Sequence, residues 1–303
     1  MQRQFDDLML GSIELFCLAG ELGGFTAAAT AAGVTPAAVS RSVARLEARL
    51  GVRLFVRTTR NIRLTDAGRV YLDQSRQALT QFADAERLAT GAQARAAGRL
   101  RISVPTTYAH YRLLPMLPAF HREHPDVQLD LHISNRNIAF ADDAFDLAIR
   151  VRAQADSTMI VRLLEDAALV VVASPAYMER RSAPATLADL ATLECIQFDL
   201  PSSGRRIPWL FRVGGEDVEF EAESAFTIGE DVLGGVTLAR AGAGVFQTYR
   251  FIVEKDLADG TLVEVLPTLA GRSRPFNLLY PHSRFLPLRV RAFVDFLVGR
   301  VSS

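Results

Sequence analysis

The fold of the amino-terminal part of the chain is decided by residues 25–68, FTAAATAAGVTPAAVSRSVARLEARLGVRLFVRTTRNIRLTDAG. This stretch predicts two short helices separated by Gly33. Thr26 is expected to cap the first, alanine-rich helix. Thr35 is expected to cap the second, with Pro36 at the first helical position, where a missing N–H costs no hydrogen bond. The order of these signals predicts a helix-turn-helix.

The second predicted helix has two contrasting sides. At about 100° per residue, apolar residues collect on one side and small or cationic residues on the other. The apolar stripe consists of Val39, Val43, Leu46 and Leu50, and the opposite side of Ala37, Ser40, Arg41, Ala44 and Arg45. A helix that enters a DNA major groove needs such a side, small in the middle and cationic at its edge. The alternative interpretation is an ordinary amphipathic surface helix.

An arginine-rich hairpin is predicted after this helix. The apolar run 54–56 and the polar stretch 57–65 indicate a two-stranded wing with arginines at its tip and sides. Between Val34 and Arg63 there are seven arginines and one acid, Glu47, in a chain whose 34 basic and 34 acidic residues balance. This local basic patch is suited to neutralising phosphate, although a solvated charged face is the alternative.

These residues resemble the winged helix-turn-helix of LysR-type transcriptional regulators. The family pattern corresponds to TPAAVSR at 35–41, LEARLG at 46–51, LFVR at 54–57 and LTDAG at 64–68. The resemblance implies that the partner is double-stranded DNA at an operator or promoter. The expected DNA-binding residues are Thr35, Pro36, Ala37, Ser40, Arg41, Arg45, Arg57, Arg60 and Arg63.

A long helix is predicted over 65–97, capped by Thr65, with Asp66 complementing the helix dipole. One seam with alternating three- and four-residue spacing suits pairing with a second copy, although Ser75 and Glu86 weaken it. Its members are Leu72, Ser75, Leu79, Phe82, Glu86 and Ala89. The resemblance implies a linker helix that dimerises, and therefore a homodimer or a homotetramer.

The rest of the chain predicts an α/β fold. Strands are predicted at 100–104, 127–134, 145–151, 169–173, 196–198, 224–228, 245–247 and 276–280. Helices between them imply parallel sheets. The resemblance implies a two-lobed effector domain similar to periplasmic binding proteins. The expected domains are 1–65 for DNA binding, 66–96 for the linker, and 97–303 for the effector, with lobe I at 97–165 and 270–303 and lobe II at 166–269.

A small organic effector is expected between these lobes, because ligands bind beyond the carboxyl ends of the strands in open α/β sheets. Thr106 and Thr107 follow the first strand, where they serve either as helix caps or as anion ligands. Arg150 is expected to pair with Asp146 or Asp166, or else with an anionic ligand such as a carboxylate. The expected effector residues are Thr106, Thr107, Asn135, Arg150, Gln197, Phe198, Thr227, Phe246 and Gln247.

The leading hypothesis is an effector-responsive DNA-binding regulator, which needs RNA polymerase as a partner if it activates. A solute-binding or transport protein is the second class, and the first residues lack the order of a secretory signal. An α/β enzyme is the third, and neither a nucleophile elbow nor a phosphate-binding loop is found. We expect a cytoplasmic protein without catalysis, cofactor, metal or membrane partner. Cys17 and Cys195 are expected to be free, buried thiols.

Overall fold

The computed structural model describes residues 8–57, 62–89, 95–136, 145–151, 159–201, 203–282 and 286–301. These residues form two compact units, an amino-terminal unit that ends at residue 89 and a carboxyl-terminal unit that begins at residue 95. Within the described ranges, no helix is long and apolar enough to cross a membrane.

The amino-terminal unit is a winged helix-turn-helix followed by a long helix. Its elements are α1 (Leu8–Leu22), α2 (Phe25–Ala32), α3 (Pro36–Leu50), β1 (Phe55–Arg57), β2 (Ile62–Leu64) and α4 (Asp66–Ala89). The strands β1 and β2 pair in an antiparallel hairpin. A core around Phe16, Val39, Val43 and Leu54 joins the helices to the wing. The predicted helix-turn-helix and wing are therefore confirmed.

The caps of these helices agree with the sequence in two of three cases. The hydroxyl of Thr35 accepts the Ala38 N–H at 3.2 Å, and that of Thr65 accepts the Gly68 N–H at 2.9 Å. The expected cap at Thr26 is wrong, because α2 already begins at Phe25. Gly24 holds the capping position without a side-chain hydrogen bond, and Thr26 lies in the first turn.

The predicted seam of α4 is divided between two environments. Leu72 and Ser75 are buried in the amino-terminal unit, and Leu79 packs against the same core. Phe82 is 55% exposed. The side chain of Ala89 lies outside the described part of the chain. The first half of the seam therefore stabilises its own unit, and Phe82 is the apolar seam residue left at the surface of the described helix.

The carboxyl-terminal unit is built on a mixed sheet. Its strands are β3 (Gly98–Val104), β4 (Val127–Ile133), β5 (Leu147–Val151), β6 (Met159–Ala173), β7 (Ile196–Phe198), β8 (Trp209–Val213), β9 (Glu216–Phe220), β10 (Phe226–Ile228), β11 (Phe246–Tyr249), β12 (Val263–Val265) and β13 (Ser273–Pro281). The main sheet has the order β11-β6-β13-β5-β3-β4, and β12 also pairs with β6. Two smaller sheets, β10-β7 and β8-β9, complete the set.

The helices of this unit cover the sheets. They are α5 (Thr106–Tyr108), a π-helical turn (Ala109–Leu113), α6 (Leu114–Glu123), α7 (Pro175–Met178), α8 (Leu187–Leu190), α9 (Leu233–Arg240), α10 (Arg250–Asp259), a 3₁₀ turn (Pro267–Leu269) and α11 (Leu288–Val301). The largest apolar core lies between the sheet and these helices and includes Phe120, Phe276 and Phe293.

The expectation of parallel sheets needs correction. The pairs β3–β4, β3–β5 and β7–β10 are parallel. The strand β13, which comes from the end of the chain, inserts between β5 and β6 and is antiparallel to both. Alternation of strands and helices along the sequence cannot show where a late strand returns, so the fold is α/β with a mixed main sheet.

The strand β6 is a single element of 15 residues. Its first part pairs with β13, and its last residues pair with β11 and β12. Only 169–173 is predicted as strand from the sequence, because the fully apolar run begins after Glu165 and Asp166. The expected boundary between lobes, at 165/166, falls inside this strand.

Candidate DNA-binding surface and effector cleft

The recognition helix α3 presents a small and cationic surface. Val39, Val43 and Leu46 are buried, as predicted, whereas Leu50 at the end of the helix is 36% exposed. On the opposite side Ala37, Arg41, Ala44 and Arg45 are exposed and Ser40 is half-buried. A shallow depression there is lined by Arg41, Ala44, Arg45 and Ala48. Small residues between two arginines allow close approach of a DNA backbone or base edge.

The one acid of the arginine-rich stretch does not face this surface. Glu47 is 4% exposed, and its Oε1 accepts the N–H groups of Leu54 at 2.8 Å and of Phe55 at 3.1 Å. Its Oε2 accepts a hydrogen bond from Arg53 at 3.2 Å. The carboxylate is therefore used to hold the first strand of the wing against α3, and it does not oppose phosphate at the exposed side.

The same turn is held from the other side by the start of α4. The hydroxyl of Thr65 donates to the carbonyl of Arg53 at 2.8 Å, and the Thr65 N–H donates to the Leu54 carbonyl at 2.9 Å. Gly68 passes so close that a Cβ built on it would lie 2.0 Å from the Leu54 oxygen. The residues 53–55 thus join the recognition helix, the wing and the linker helix.

The wing supplies further cationic residues, of which the structure describes part. Arg63 on β2 is exposed. Arg60 lies outside the described residues, and for Arg57 only the backbone, at the end of β1, is described.

In the carboxyl-terminal unit, Thr106 and Asn135 lie together at the ends of β3 and β4. The Asn135 amide accepts the Thr106 N–H at 3.1 Å and donates to the Thr106 hydroxyl at 3.2 Å. Thr107 is 2% exposed and belongs to the interior. Of the two threonines, Thr106 is therefore the one whose polar groups lie at the strand ends.

Arg150 reaches the same region, with partners that differ from the expectation. It donates to the hydroxyl of Ser103 at 2.7 Å and to the carbonyls of Ile149 and Arg136 at 2.6 and 3.4 Å. The expected ion pair with Asp146 or Asp166 is not among these bonds. The Asp146 carboxylate instead accepts the Arg101 N–H at 2.9 Å and bonds Arg289 at 3.3 Å.

Four of the expected effector residues lie in the interior or bond the backbone within the segment 166–269, which was expected to form lobe II. The Gln247 amide exchanges two hydrogen bonds of 2.9 Å with the backbone of Leu210, and so joins β11 to β8. Phe246 is 1% exposed, with its ring packed over Gly235. Gln197 and Phe198 are also buried. Thr227 on β10, in contrast, is exposed.

A residue that the sequence did not single out completes this region. Glu230 follows β10, and its carboxylate binds Arg136 through two hydrogen bonds of 2.6 and 3.2 Å. The Asn135 amide also donates to the Glu230 carbonyl at 2.6 Å. The hydrogen bond and charge of Arg136 hold the pKa of the Glu230 carboxyl below its ordinary value. The strand-end position of Glu230 is the signal that a search for cleft residues could have used.

The two cysteines are free and buried, as predicted. Burial raises the pKa of the Cys17 thiol to about 12, with a further contribution from Glu21. Burial likewise raises the pKa of the Cys195 thiol to about 12, with a contribution from Glu194. Both groups are therefore protonated, unreactive thiols near neutral pH.

A winged helix-turn-helix followed by an α/β unit with polar strand ends is the architecture of a ligand-responsive transcription regulator. Family models agree: residues 10–69 match the bacterial regulatory helix-turn-helix protein, lysR family, and residues 93–302 match the LysR substrate binding domain. The chain belongs to the LysR family. It is a DNA-binding transcription regulator with an effector-binding domain, and it is not an enzyme.

Similar proteins come from several bacteria. An HTH-type transcriptional regulator of Xanthomonas campestris pv. campestris is 33% identical over 250 residues, which cover 81% of this chain and 72% of that protein. The structure of CrgA from Neisseria meningitidis is 28% identical with a TM-score of 0.61, covering 97% of this chain and 99% of that one. The full-length Vibrio cholerae virulence activator AphB is 27% identical with a TM-score of 0.62, covering 96% and 99%.

Proposed function

We propose that the chain recognises operator or promoter DNA with α3 in the major groove and the wing along phosphates and the minor groove. The proposed contacts are Thr35, Pro36, Ala37, Ser40, Arg41 and Arg45 from the helix and its cap, and Arg57, Arg60 and Arg63 from the wing. The observation that carries this proposal is the inward orientation of Glu47, which leaves the outer side of α3 without a carboxylate. A side that carries arginines and no carboxylate attracts phosphate without local repulsion.

Fluorescence anisotropy with the DNA fragment upstream of the gene tests the assignment. Arg41→Ala should weaken binding and lower the slope of log affinity against log salt by about one unit if Arg41 neutralises one phosphate. Arg122→Ala, which removes an exposed arginine from α6 of the other unit, is the matched control. If the two variants have the same DNA affinity and the same salt dependence, α3 is not part of the DNA interface.

Dimerisation is assigned to the linker segment 66–96, between the DNA-binding domain 1–65 and the effector domain 97–303. A two-fold dimer matches a palindromic site and doubles the phosphate contacts. The exposed Phe82 on α4 supports this assignment. The assembly is a homodimer, or a homotetramer formed by two such dimers. It works in the cytoplasm, where the DNA is, and contacts RNA polymerase if it activates.

The effector is a small organic molecule, preferably a carboxylate, bound in the cleft between lobe I (97–165 and 270–303) and lobe II (166–269). Thr106, Asn135 and Arg150 come together on one side, and the exposed Thr227 lies on the other lobe. Thr107, Gln197, Phe198, Phe246 and Gln247 support the cleft walls from within. A ligand that prefers one arrangement of the lobes by about 1–3 kcal/mol suffices for regulation.

Calorimetry on the full-length protein tests the cleft. Aromatic and branched carboxylates are titrated into the wild type, and a carboxylate that binds is then titrated into Thr106→Ala and Arg150→Ala. Either substitution should weaken binding, while Arg122→Ala should not. Unchanged affinity in both cleft variants would place the effector elsewhere.

A further inference from the structure

Two consecutive residues of lobe I hold one residue of lobe II. The Asn135 side-chain N–H donates to the Glu230 carbonyl at 2.6 Å. Arg136 donates to the Glu230 carboxylate from Nη2 at 2.6 Å and from Nε at 3.2 Å. We call these three residues the interlobe latch. Glu230 is 95 residues from Asn135 in the sequence, so the latch is a contact that only the folded unit creates.

The backbone of Glu230 is in an unfavourable conformation. Its φ is 60°, and among the described residues Leu266 is the one other non-glycine with positive φ. A residue with a Cβ adopts this left-handed region only when surrounding contacts hold it there. The latch holds Glu230 from outside the segment, and the Asp231 N–H donates to the Gly229 carbonyl at 2.7 Å across it. Breaking the latch removes the outside contacts, which allows the segment after β10 to relax.

The carboxylate of Glu230 lies where an anionic ligand is expected. A guanidinium binds any carboxylate through two parallel hydrogen bonds, whether it belongs to a side chain or to a small molecule. Arg136 is next to Asn135, which bonds Thr106, and its carbonyl accepts a hydrogen bond from Arg150. The side chain of Glu230 thus occupies a guanidinium whose residue is adjacent to Asn135 in sequence and accepts a hydrogen bond from Arg150.

The ion pair can be displaced from solution. The side chains of Arg136 and Glu230 are 65% and 60% exposed. Exposed pairs of this kind are weak and are screened by salt. A dissolved carboxylate therefore competes for Arg136 without first having to open a buried contact.

We propose that Arg136 is a carboxylate-binding residue of the cleft besides Arg150, and that Glu230 is an internal competitor which occupies Arg136 when no effector is bound. An effector carboxylate replaces that of Glu230 on Arg136, and the segment after β10 leaves its left-handed conformation. This inference rests on the proposed effector cleft and adds to it the recognition group and the event that ligand binding triggers.

Hydrogen exchange on the full-length protein tests the latch without any effector. Arg136→Gln and Glu230→Gln should each speed exchange in peptides covering 103–110 and 227–236 by about two- to fivefold, as expected for loss of an exposed pair. The charge-swapped double variant Arg136→Glu with Glu230→Arg should restore slow exchange. Glu123→Gln, which removes the exposed pair between Glu123 and Arg300, is the matched control. If both single variants exchange at the wild-type rate in these peptides, the latch does not hold the segment after β10 and the inference is wrong.

Acetate, which carries the same carboxylate as the Glu230 side chain, tests the competition. In the wild type, sodium acetate should speed exchange of 227–236 more than sodium chloride at equal ionic strength, and Arg136→Gln should abolish the difference. If exchange follows ionic strength alone, Arg136 is not a carboxylate-binding residue and the inference is wrong. The effector cleft is tested separately, by the calorimetry of Thr106→Ala and Arg150→Ala. A failure of the Arg136 inference can therefore be distinguished from a failure of the proposed cleft.

Discussion

Oε1 of Glu47 lies 2.8 Å from the backbone nitrogen of Leu54. This hydrogen bond joins the recognition helix to the start of the wing, and the Leu54 carbonyl in turn accepts the N–H of Thr65 before the linker helix. Two sequence motifs whose first residues are 18 positions apart, LEARLG and LTDAG, therefore meet at one residue, Leu54. We therefore expect a movement of α4 to reach the wing through this junction.

The first prediction concerns Glu47. Glu47→Ala leaves the buried N–H groups of Leu54 and Phe55 without their acceptor, and should lower the free energy of unfolding by about 2–4 kcal/mol. Glu47→Gln keeps an acceptor oxygen and should cost less, about 1 kcal/mol. Urea denaturation measures both. Glu14→Ala, an exposed glutamate of α1, is the control, and an equal loss there would contradict a specific role for Glu47.

The second prediction concerns Gly68. A methyl group at this position would lie 2.0 Å from the Leu54 oxygen, so Gly68→Ala must push the linker helix from the wing. We expect a loss of about 2–3 kcal/mol and weaker DNA binding. Gly11 in α1 has open space around its Cα, and Gly11→Ala should instead gain about 0.5–1 kcal/mol. In thermal denaturation, the change in stability should therefore be negative for Gly68→Ala and positive for Gly11→Ala.

The third prediction tests whether Gln247, in the proposed lobe II, stabilises the fold or binds the effector. Gln247→Ala removes both partners of the Leu210 backbone and should lower stability by about 2 kcal/mol. Because the amide faces β8, the affinity for a carboxylate effector should change far less than in Arg150→Ala. A thermal shift combined with calorimetry distinguishes the two effects. A large loss of effector affinity at normal stability would place Gln247 in the binding site.

The fourth prediction tests the dimer. Phe82→Glu should lower the molar mass measured by light scattering and weaken DNA binding, because a charge enters the proposed helix interface. Leu79 is not suitable for this test, because it packs in its own unit. Val70→Glu places the same charge at another exposed apolar residue of α4 and serves as the control. An unchanged mass for Phe82→Glu would move the interface away from α4.

The fifth prediction is a loss of stability at alkaline pH. The folded pKa of Cys17 and of Cys195 is about 12, against an ordinary value of 9.0. The folded state thus favours the protonated thiols, and their contribution is complete below pH 9 and is lost as the pH rises towards 12. Between pH 9 and pH 12, the free energy of unfolding should depend less on pH in Cys195→Ala than in the wild type. Native protein should resist iodoacetamide at pH 8, and rapid labelling would contradict the burial.

The parts of the fold that were predicted from sequence are those with local signals. The recognition helix is predicted by signals within a few residues, namely Thr35, Pro36 and the apolar stripe of α3. The burial of Glu47 could not be predicted, because it depends on the wing folding back onto α3. The same is true of Glu230, whose partner Asn135 is distant in sequence.

Side-chain direction limited the prediction of the effector site. Phe246 and Gln247 end a predicted strand, so both were expected to face the cleft. Neighbouring residues of a strand point to opposite sides, and here Phe246 enters the core while Gln247 faces Leu210. A strand of four residues carries too little pattern to reveal which side meets the ligand.

The continuity of β6 restricts how this gene can recombine with its relatives. The strand runs unbroken across the expected boundary between lobes, from pairing with β13 to pairing with β11 and β12. A crossover at 165/166 would combine halves of one strand from two parents and mismatch their neighbours on both sides. We therefore expect that the proposed lobes are not exchanged as modules. We expect new effector responses to arise by substitution at the strand ends, with Met159–Ala173 inherited as one block.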